Sequence, residues 1–153
     1  MIAVIQRVKE ASVSVNNKKI NSIKKGILIL VGIEKDDNEK DLKFVANKIV
    51  NLRIFPDEKG KMNLSVFDIK GEILSVSQFT LTSKIKKGRR PDFGRAMPPE
   101  KAKTFYEKFL KELSSYDIPV KDGVFGAMME VSLRNDGPVT FIINSKIKKD
   151  GIK

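Results

Sequence analysis

The stretch GILILVGI, residues 26–33, contains the longest apolar run of the chain. A nearly continuous apolar segment of this length is typical of a strand buried on both faces at the centre of a sheet. It is far shorter than the roughly 20 apolar residues that a membrane-spanning helix needs. The run therefore predicts a central strand.

The segments before this run alternate between apolar and polar residues. Alternation over residues 2–8 and again over 11–15 predicts strands, because successive side chains of a strand point to opposite faces. Asn16-Asn17 indicates a turn, and a short strand through Ile20 to Ile23 follows it. Farther along, Arg53-Ile54-Phe55 and the segment from Glu72 to Phe79 also resemble strands.

Two segments have helical spacing. The first follows possible N-cap residues at positions 36–38, and its apolar stripe is Leu42, Val45, Ile49 and Leu52. The second follows Pro98-Pro99, since proline is favoured in a first helical turn. Its stripe is Ala102, Phe105, Tyr106, Phe109, Leu110 and Leu113. These patterns predict two main helices.

Two closing strands are predicted, over Met128 to Leu133 and Val139 to Asn144, with a turn at Asn135-Asp136-Gly137-Pro138 between them. Blocks of strands with two helices indicate an α+β domain, in which the helices pack on a mostly antiparallel sheet. The pattern leaves open whether the sheet closes into a barrel. We expect one domain over residues 1–145 and a basic C-terminal tail over 146–153.

The composition excludes several kinds of chemistry. The chain has 153 residues, no Cys and no His, so disulfides, thiolate or histidine metal sites and Ser-His-Asp machinery are excluded. The apolar start at Met1 stops at Gln6-Arg7, which is too short for the core of a signal peptide. We therefore expect a cytoplasmic protein that does not associate with a membrane.

The net charge of +11 favours a polyanionic partner such as RNA, although a solvated lysine-rich surface would give the same charge. The segment from Thr82 to Pro99 carries three Pro, two Gly and six Lys or Arg. It is too long and too polar for a simple connection, which favours a functional loop.

Two short motifs could carry chemistry. Ser77-Gln78-Phe79-Thr80-Leu81 places hydroxyl and amide groups at the rim of the sheet, but on the residues alone an ordinary strand end is favoured over a pocket. Asn135-Asp136-Gly137-Pro138-Val139-Thr140 is a strong turn signal, and a hairpin alone would explain it. Only about 5–6% of X–Pro bonds in folded proteins are cis, so the residues alone do not predict a cis bond there.

With both motifs in view, the chain resembles the D-aminoacyl-tRNA deacylase family, also called D-tyrosyl-tRNA deacylases. The resemblance extends over nearly the whole chain, and only the lysine-rich extension after Ser145 lies outside it. Either motif alone would be weak, whereas both in order within a full-length match are specific. The matching segments are residues 1–8, 31–37, 53–55, 60–64, 77–81, 88–91 and 135–140.

The resemblance implies a barrel-like α+β fold and a homodimer with the active site at the dimer interface, without metal or organic cofactor. It also implies that the Gly137-Pro138 bond is cis and that this motif reaches from one subunit into the pocket of the other. Arg7 would help to hold the motif. Residues of the first motif would form the opposite wall as the catalytic set, namely Ser77, Gln78, Phe79 and Thr80.

The same resemblance gives one further role, and the charge of the long basic loop gives another. Phe125 and Met129 would pack against the terminal adenine of tRNA. We expect the long basic loop to contact tRNA phosphates, through Lys86, Lys87, Arg89 and Arg90.

The implied reaction is hydrolysis of the ester of D-aminoacyl-tRNA to free D-amino acid and tRNA. The Gly-Pro motif would reject L-aminoacyl-tRNA by steric clash, and glycyl-tRNA, which has no side chain to reject, would be cleaved to some extent. Two alternatives remain open: an RNA-binding module without catalysis, and a hydrolase in which Thr80 is the nucleophile.

Overall fold

The computed structural model describes residues 1–86 and 88–146. Within them the chain forms eight strands and two α-helices, with a 3-10 turn over Phe79–Thr82. The strands are β1 (Ile2–Val15), β2 (Lys18–Ile23), β3 (Gly26–Gly32), β4 (Phe55–Pro56), β5 (Met62–Leu64), β6 (Glu72–Ser77), β7 (Val120–Asp122) and β8 (Glu130–Asn144). The helices are α1 (Glu39–Asn51) and α2 (Pro99–Ser114).

The main sheet is six-stranded and mixed, with the order β2-β1-β3-β6-β7 and with β8 paired to β1. Pairs that involve β1 are antiparallel, whereas β3–β6 and β6–β7 are parallel. The far strands are also linked, because Lys121 Nζ donates to the carbonyl of Ser22 and Asn21 Nδ2 donates to the carbonyl of Asp122. The sheet therefore curls into a barrel-like shape, which confirms the predicted α+β class.

The helices lie on one side of the sheet and cover the larger core. Strand β3, the predicted central strand, is buried over nearly its whole length. The side chains of Ile27, Ile29 and Val31 join the core beneath the helices. Leu28 faces a second, smaller core inside the curled sheet, with Val8, Val13 and Leu74.

Both helices begin where the sequence predicts. Asn38 caps α1 with its side chain on the Lys40 amide, and Asp41 completes the capping box. Pro99 lies in the first turn of α2, as expected. Most of the two helical stripes is buried, but Phe105 and Leu110 of α2 are half-buried, as is Leu52, which lies just past the end of α1.

The predicted turn at Asn135-Asp136-Gly137-Pro138, which was expected to separate two closing strands, is wrong. The two closing strands are one strand, β8, which pairs with β1 from Ser14 to Ile2 and shifts register twice, between Gln6 and Val8 and between Val8 and Glu10 of β1. The chain continues because the Asn135 side chain spans the irregularity: its Oδ1 accepts from the Val139 amide at 2.6 Å. The turn-forming residues thus produce a bulge in a continuous strand and do not reverse the direction of the chain.

Smaller differences occur elsewhere. The strand expected at residues 53–55 is reduced to β4, because Arg53 and Ile54 lie in the connection after α1. The strand expected to reach Phe79 ends at Ser77, where the chain turns into the 3-10 segment. None of the helices in the described ranges is long and apolar enough to span a bilayer.

Candidate active site

The first motif turns sharply at the carboxyl end of β6. The backbone N–H of Gln78 still donates to the carbonyl of Val31 at 2.7 Å, and the 3-10 turn begins at the next residue. Gly32 makes this close packing possible: a Cβ there would lie 2.9 Å from Leu81 Cβ and 3.1 Å from the carbonyl oxygen of Gln78. The motif is therefore held directly against the end of β3.

Gln78 and Thr80 are joined by their side chains. Nε2 of Gln78 donates to Oγ1 of Thr80 at 2.6 Å, and the Thr82 hydroxyl donates to the carbonyl of Phe79 at 2.8 Å. Ser77 and Gln78 are half-buried, whereas Phe79 and Thr80 are exposed. The first backbone N–H groups of a 3-10 turn have no acceptor within the turn, so those of Phe79 and Thr80 can meet a ligand. The four residues form one wall that is open to solvent, with three polar side chains and the exposed ring of Phe79.

The second motif lies beside Arg7. The Gly137-Pro138 bond is cis, in agreement with the expectation from the family resemblance. Nε of Arg7 donates to the carbonyl of Asp136 at 2.8 Å, and its Nη1 donates to the carbonyl of Ile54 at 2.6 Å. One guanidinium thus ties the motif to the connection after α1.

The two motifs lie far apart within one protomer. Ser77 aligns across the sheet with Val31 and Ala3, whereas the second motif lies opposite Arg7, four residues farther along β1. Measured along the sheet, three strand spacings of about 4.8 Å and four residues of about 3.3 Å separate them by a distance on the order of 20 Å. A single protomer therefore does not bring them into one pocket.

Phe125 and Met129 follow β7 and lie near the end of β6. The Gly123 amide donates to the carbonyl of Ser75, and a Cβ on Gly123 would overlap Sδ of Met129. The Phe125 ring packs on Tyr106, with ring centroids 5.9 Å apart. Both predicted residues are half-buried and lie beside the strand that carries the first motif.

Tyr106 supports this region from beneath. Its hydroxyl donates to Oγ of Ser75 at 2.9 Å, and both residues are buried. Burial raises the pKa of the Tyr106 phenol well above its usual range, so the phenol stays neutral at every physiological pH. The hydroxyl is therefore a fixed donor that supports β6 rather than a group that exchanges protons with a substrate.

The long basic loop forms a hairpin, residues 84–92, that we call the basic hairpin. The amides of Lys84 and Asp92 donate to each other's carbonyls, at 2.9 and 3.0 Å, and close its base. Lys86, Arg89 and Arg90 lie exposed at its tip. Lys87, the fourth predicted phosphate contact, lies outside the described residues.

Two anchors of this loop were missed by the sequence analysis. Arg95 pairs with the carboxylate of Glu34, which is buried, and the Phe93 ring packs edge-on against Phe79, with ring centroids 5.1 Å apart. Neither anchor belongs to a periodic pattern, and the only signal in the sequence was a Glu directly after the apolar run of residues 26–33. The loop is therefore fixed to both β3 and the first motif.

Glu34 also belongs to an acidic cluster with Asp36 and Asp37, whose carboxylates lie within 4.8 Å of one another. Cations already balance its buried members: Asp37 accepts from the α-ammonium of Met1 at 2.5 Å, and Glu34 pairs with Arg95. We therefore interpret the cluster as a structural ion-pair network that anchors the end of β3.

Comparison with known proteins gives the family. A family model described as D-Tyr-tRNA(Tyr) deacylase matches residues 4–144. The chain belongs to this family of deacylases. The expected enzyme class, hydrolases that act on ester bonds, is thereby confirmed.

Individual deacylases match over nearly the full length of both chains. The D-aminoacyl-tRNA deacylase of Persephonella marina is 58% identical over 146 residues, 95% of this chain and 99% of that protein. The D-aminoacyl-tRNA deacylase of Thermodesulfovibrio yellowstonii is 56% identical, over 95% of this chain and 100% of that protein.

Solved structures share the fold of this deacylase. That of a c-Myc DNA Unwinding Element Binding Protein has a TM-score of 0.89 and 48% identity, and the match covers 94% of this chain and 98% of the other. A probable eukaryotic D-amino acid tRNA deacylase has a TM-score of 0.78 at 18% identity, over 93% and 97% of the two chains. The second likeness shows the fold alone.

Proposed function

We propose that this protein hydrolyses the ester bond of D-aminoacyl-tRNA and releases free D-amino acid and tRNA. The observation that carries the proposal is the full-length match to relatives named D-aminoacyl-tRNA deacylase, at 56–58% identity. The intact first motif at the rim of the sheet gives the reaction a site. The cytoplasmic location stays a prediction.

The chemistry requires little from side chains. An aminoacyl ester is already an activated acyl group, so placing it against hydrogen-bond donors and a water molecule supplies much of the catalysis. The backbone N–H groups of Phe79 and Thr80 are the candidate donors to the developing oxyanion. The attacking group is then water, assisted by the ribose hydroxyl of the tRNA itself.

Thr80 is a weak candidate for the nucleophile. A nucleophilic hydroxyl needs a base that takes its proton. The side-chain partner of Thr80 is the amide of Gln78, which donates to the hydroxyl oxygen and cannot take its proton. We therefore assign Thr80 to the pocket wall, where Gln78 fixes its orientation.

The proposed site needs two subunits. The two motifs of one protomer lie on the order of 20 Å apart along the sheet, which supports a site in which Gly137 and Pro138 come from a second copy. In the described part of the chain β8 pairs with β1 only, and it carries the half-exposed Phe141 and the 71%-exposed Ile142. An open strand edge with apolar side chains favours association with another copy, and a two-fold dimer would contain two composite sites.

Selection between mirror images follows from this arrangement. Carbonyls of the Gly137-Pro138 motif hold the amino group, and the opposite wall holds the ester. The side chain of an L-amino acid then points into the backbone of the motif, whereas that of a D-amino acid points to open space. Glycine has no side chain to reject, so glycyl-tRNA is cleaved to some extent.

Binding of nucleic acid without ester cleavage is the second candidate. The net charge of +11 and the basic hairpin favour it, and the relative of known structure named above is called a DNA-element binding protein. This candidate predicts salt-sensitive binding with no release of amino acid.

One assay separates the two candidates. Purified protein is incubated with D-Tyr-tRNA, L-Tyr-tRNA and glycyl-tRNA, and the remaining ester is measured over time. We expect rapid loss of the D-ester, slower loss of the glycyl ester and survival of the L-ester. Equal rates for D and L, or no loss above spontaneous hydrolysis, would reject the proposed function.

A further inference from the structure

Phe93 stands between two fixed points of the loop. On one side the amides and carbonyls of Lys84 and Asp92 close the basic hairpin. On the other side the Lys35 amide donates to the carbonyl of Arg95 at 2.9 Å, and the guanidinium of Arg95 pairs with Glu34. The Phe93 ring is therefore positioned by the backbone on both sides.

Phe93 and Phe79 form an exposed aromatic pair. Their rings meet at an interplanar angle of 62°, and their residues are 39% and 55% exposed. An edge-on contact leaves ring faces open to solvent, although burying them would be favourable. The pair connects the wall of the candidate active site with the cationic tip of the hairpin.

We infer that Phe93 is a stacking platform for an unpaired base of the tRNA acceptor end, next to the terminal nucleotide. The inference rests on the proposed function. Aromatic rings that stack unpaired bases beside cations that attract phosphates are the recurrent arrangement for single-stranded nucleic acid. The exposed Lys86, Arg89 and Arg90 supply the cations. Phe125 and Met129 remain the predicted contacts of the terminal adenine.

This platform gives the acceptor end a defined path. The terminal nucleotide lies near β7, its aminoacyl group lies against residues 77–80, and the next base stacks on Phe93. The phosphates between them then lie along the basic hairpin. Stacking tolerates any base, because every base has a π-face, so the platform serves tRNAs of every amino acid.

The chain has no Trp, which makes a direct test possible. In Phe93→Trp the new indole is the only tryptophan, and it keeps an aromatic contact with Phe79. The probe is an uncharged RNA stem-loop with an unpaired 3′ tail, compared with the same stem-loop cut blunt. Phe67→Trp is the matched control, because Phe67 is 53% exposed and lies before β6, at the opposite end of that strand from Phe79.

We expect saturable quenching of Phe93→Trp by the tailed RNA, and no such quenching with the blunt RNA or in the control variant. Unchanged emission while fluorescence anisotropy shows that labelled tailed RNA is bound would overturn the inference. Because the probe carries no ester, this outcome is independent of any failure of the deacylation assay.

A kinetic test separates stacking from support of the fold. Phe93→Leu retains an apolar contact with Phe79 but has no ring face. We expect its KM for D-Tyr-tRNA to rise roughly tenfold, as for the loss of one stacked base, with kcat and the D/L preference unchanged. Phe93→Tyr should restore KM. A loss confined to kcat, or no change in KM, would contradict the inference.

Discussion

At the scale of single residues, the bond between Gln78 and Thr80 bears on the mechanism. Gln78 donates through Nε2 at 2.6 Å, so it occupies a lone pair of the hydroxyl and fixes its orientation. An amide has no proton affinity near neutral pH and cannot serve as the base for a nucleophile. The geometry therefore favours a water nucleophile over Thr80.

Replacing Thr80 by Ala tests this assignment. If Thr80 is a wall residue, the single-turnover rate of D-Tyr-tRNA cleavage should fall by no more than about tenfold, because one hydrogen bond is lost. Removing a true nucleophile costs about 10⁴-fold or more. Thr80→Ser, which keeps the hydroxyl, is the control. A near-total loss in Thr80→Ala that Thr80→Ser restores would make Thr80 the nucleophile.

Replacing Arg7 by Met tests the anchoring of the second motif. The carbonyls of Asp136 and Ile54 both lose a charged donor, so we expect the free energy of unfolding to fall by about 2 kcal/mol. A looser motif should also admit L-substrates, and the D/L rate ratio should fall by roughly tenfold or more, an effect of about 1.4 kcal/mol. Urea unfolding measures the free energy of unfolding, and paired deacylation assays measure the D/L rate ratio.

Arg134→Met is the matched control, because Arg134 is an exposed arginine on β8 that pairs with Glu10 on the neighbouring strand. Such surface pairs contribute little. If Arg7→Met keeps the D/L ratio of the unmodified protein, Arg7 has no role in holding the motif for selection.

At the scale of elements, the sequence predicted the helices and the central strand, because their signals are local. The cap at Asn38 and the apolar run before Ile33 require only neighbouring residues. The continuity of β8 was not predictable in this way. Besides the Asn135 side chain, it depends on pairing with β1, whose Arg7 lies 129 residues away from Asp136 in the chain, whereas the local residues favour a turn.

In the candidate site, too, some features were predictable from the sequence and others depend on the folded chain. The family resemblance predicted the cis bond at Gly137-Pro138, which the residue pattern alone did not favour. Neither the residue pattern nor the family resemblance predicted the contact between Phe79 and Phe93. It joins two loops without periodic spacing, and only the folded chain brings their rings to 5.1 Å.

Glu72 offers an element-scale prediction because it links strands at the start of β6. A hydrogen bond from the backbone N–H of Lys24 lowers the pKa of Glu72 below its usual value, and the hydrogen bond and positive charge of Lys121 lower it further. A carboxyl whose folded-state pKa is lowered stabilises the fold above its unfolded pKa, about 4.3. That stability is lost as the pH falls through the folded-state pKa.

Glu72→Gln should therefore lower the free energy of unfolding by about 1 kcal/mol at pH 7. The difference from the unmodified protein should shrink as the pH falls below about 4.3. Urea unfolding at several pH values measures it, and Glu58→Gln provides the background for loss of an exposed carboxylate. A difference that stays constant down to acid pH would show that the ionised state of Glu72 is not what stabilises the fold.

The basic hairpin makes a prediction about salt. Neutralising Lys86, Lys87 and Arg89 together with Gln should flatten the dependence of tRNA binding on salt, because about one counterion is released for each neutralised phosphate. The control replaces three exposed lysines of the two helices by Gln, namely Lys40, Lys43 and Lys103. Equal slopes for both triple variants would mean that the hairpin charges only keep the protein soluble.

At the scale of the whole molecule, each proposed site is shared between two copies. The charge of +11 predicts a polyanionic partner, but composition carries no information about which subunit supplies which wall. The strand registers separate the two motifs within one protomer, and this separation supports the proposal of a shared site. Each proposed pocket then takes residues 77–80 from one copy and the Gly137-Pro138 motif from its partner.

Mixed dimers test this claim most directly. Phe79→Pro removes one backbone donor at a turn position that accepts proline, and Gly137→Val adds a side chain that collides with Val139. Each variant is first shown to be a folded dimer of about 34 kDa, twice 17.2 kDa, without deacylase activity. The two are then co-expressed so that subunits pair at random.

The measurement is the rate of D-Tyr-tRNA cleavage by the co-expressed mixture. Half of the random dimers are heterodimers, and in each of these one composite site has both walls intact. The account predicts about a quarter of the unmodified activity. A mixture of verified heterodimers that stays inactive would contradict it, because both motifs would then have to come from the same subunit.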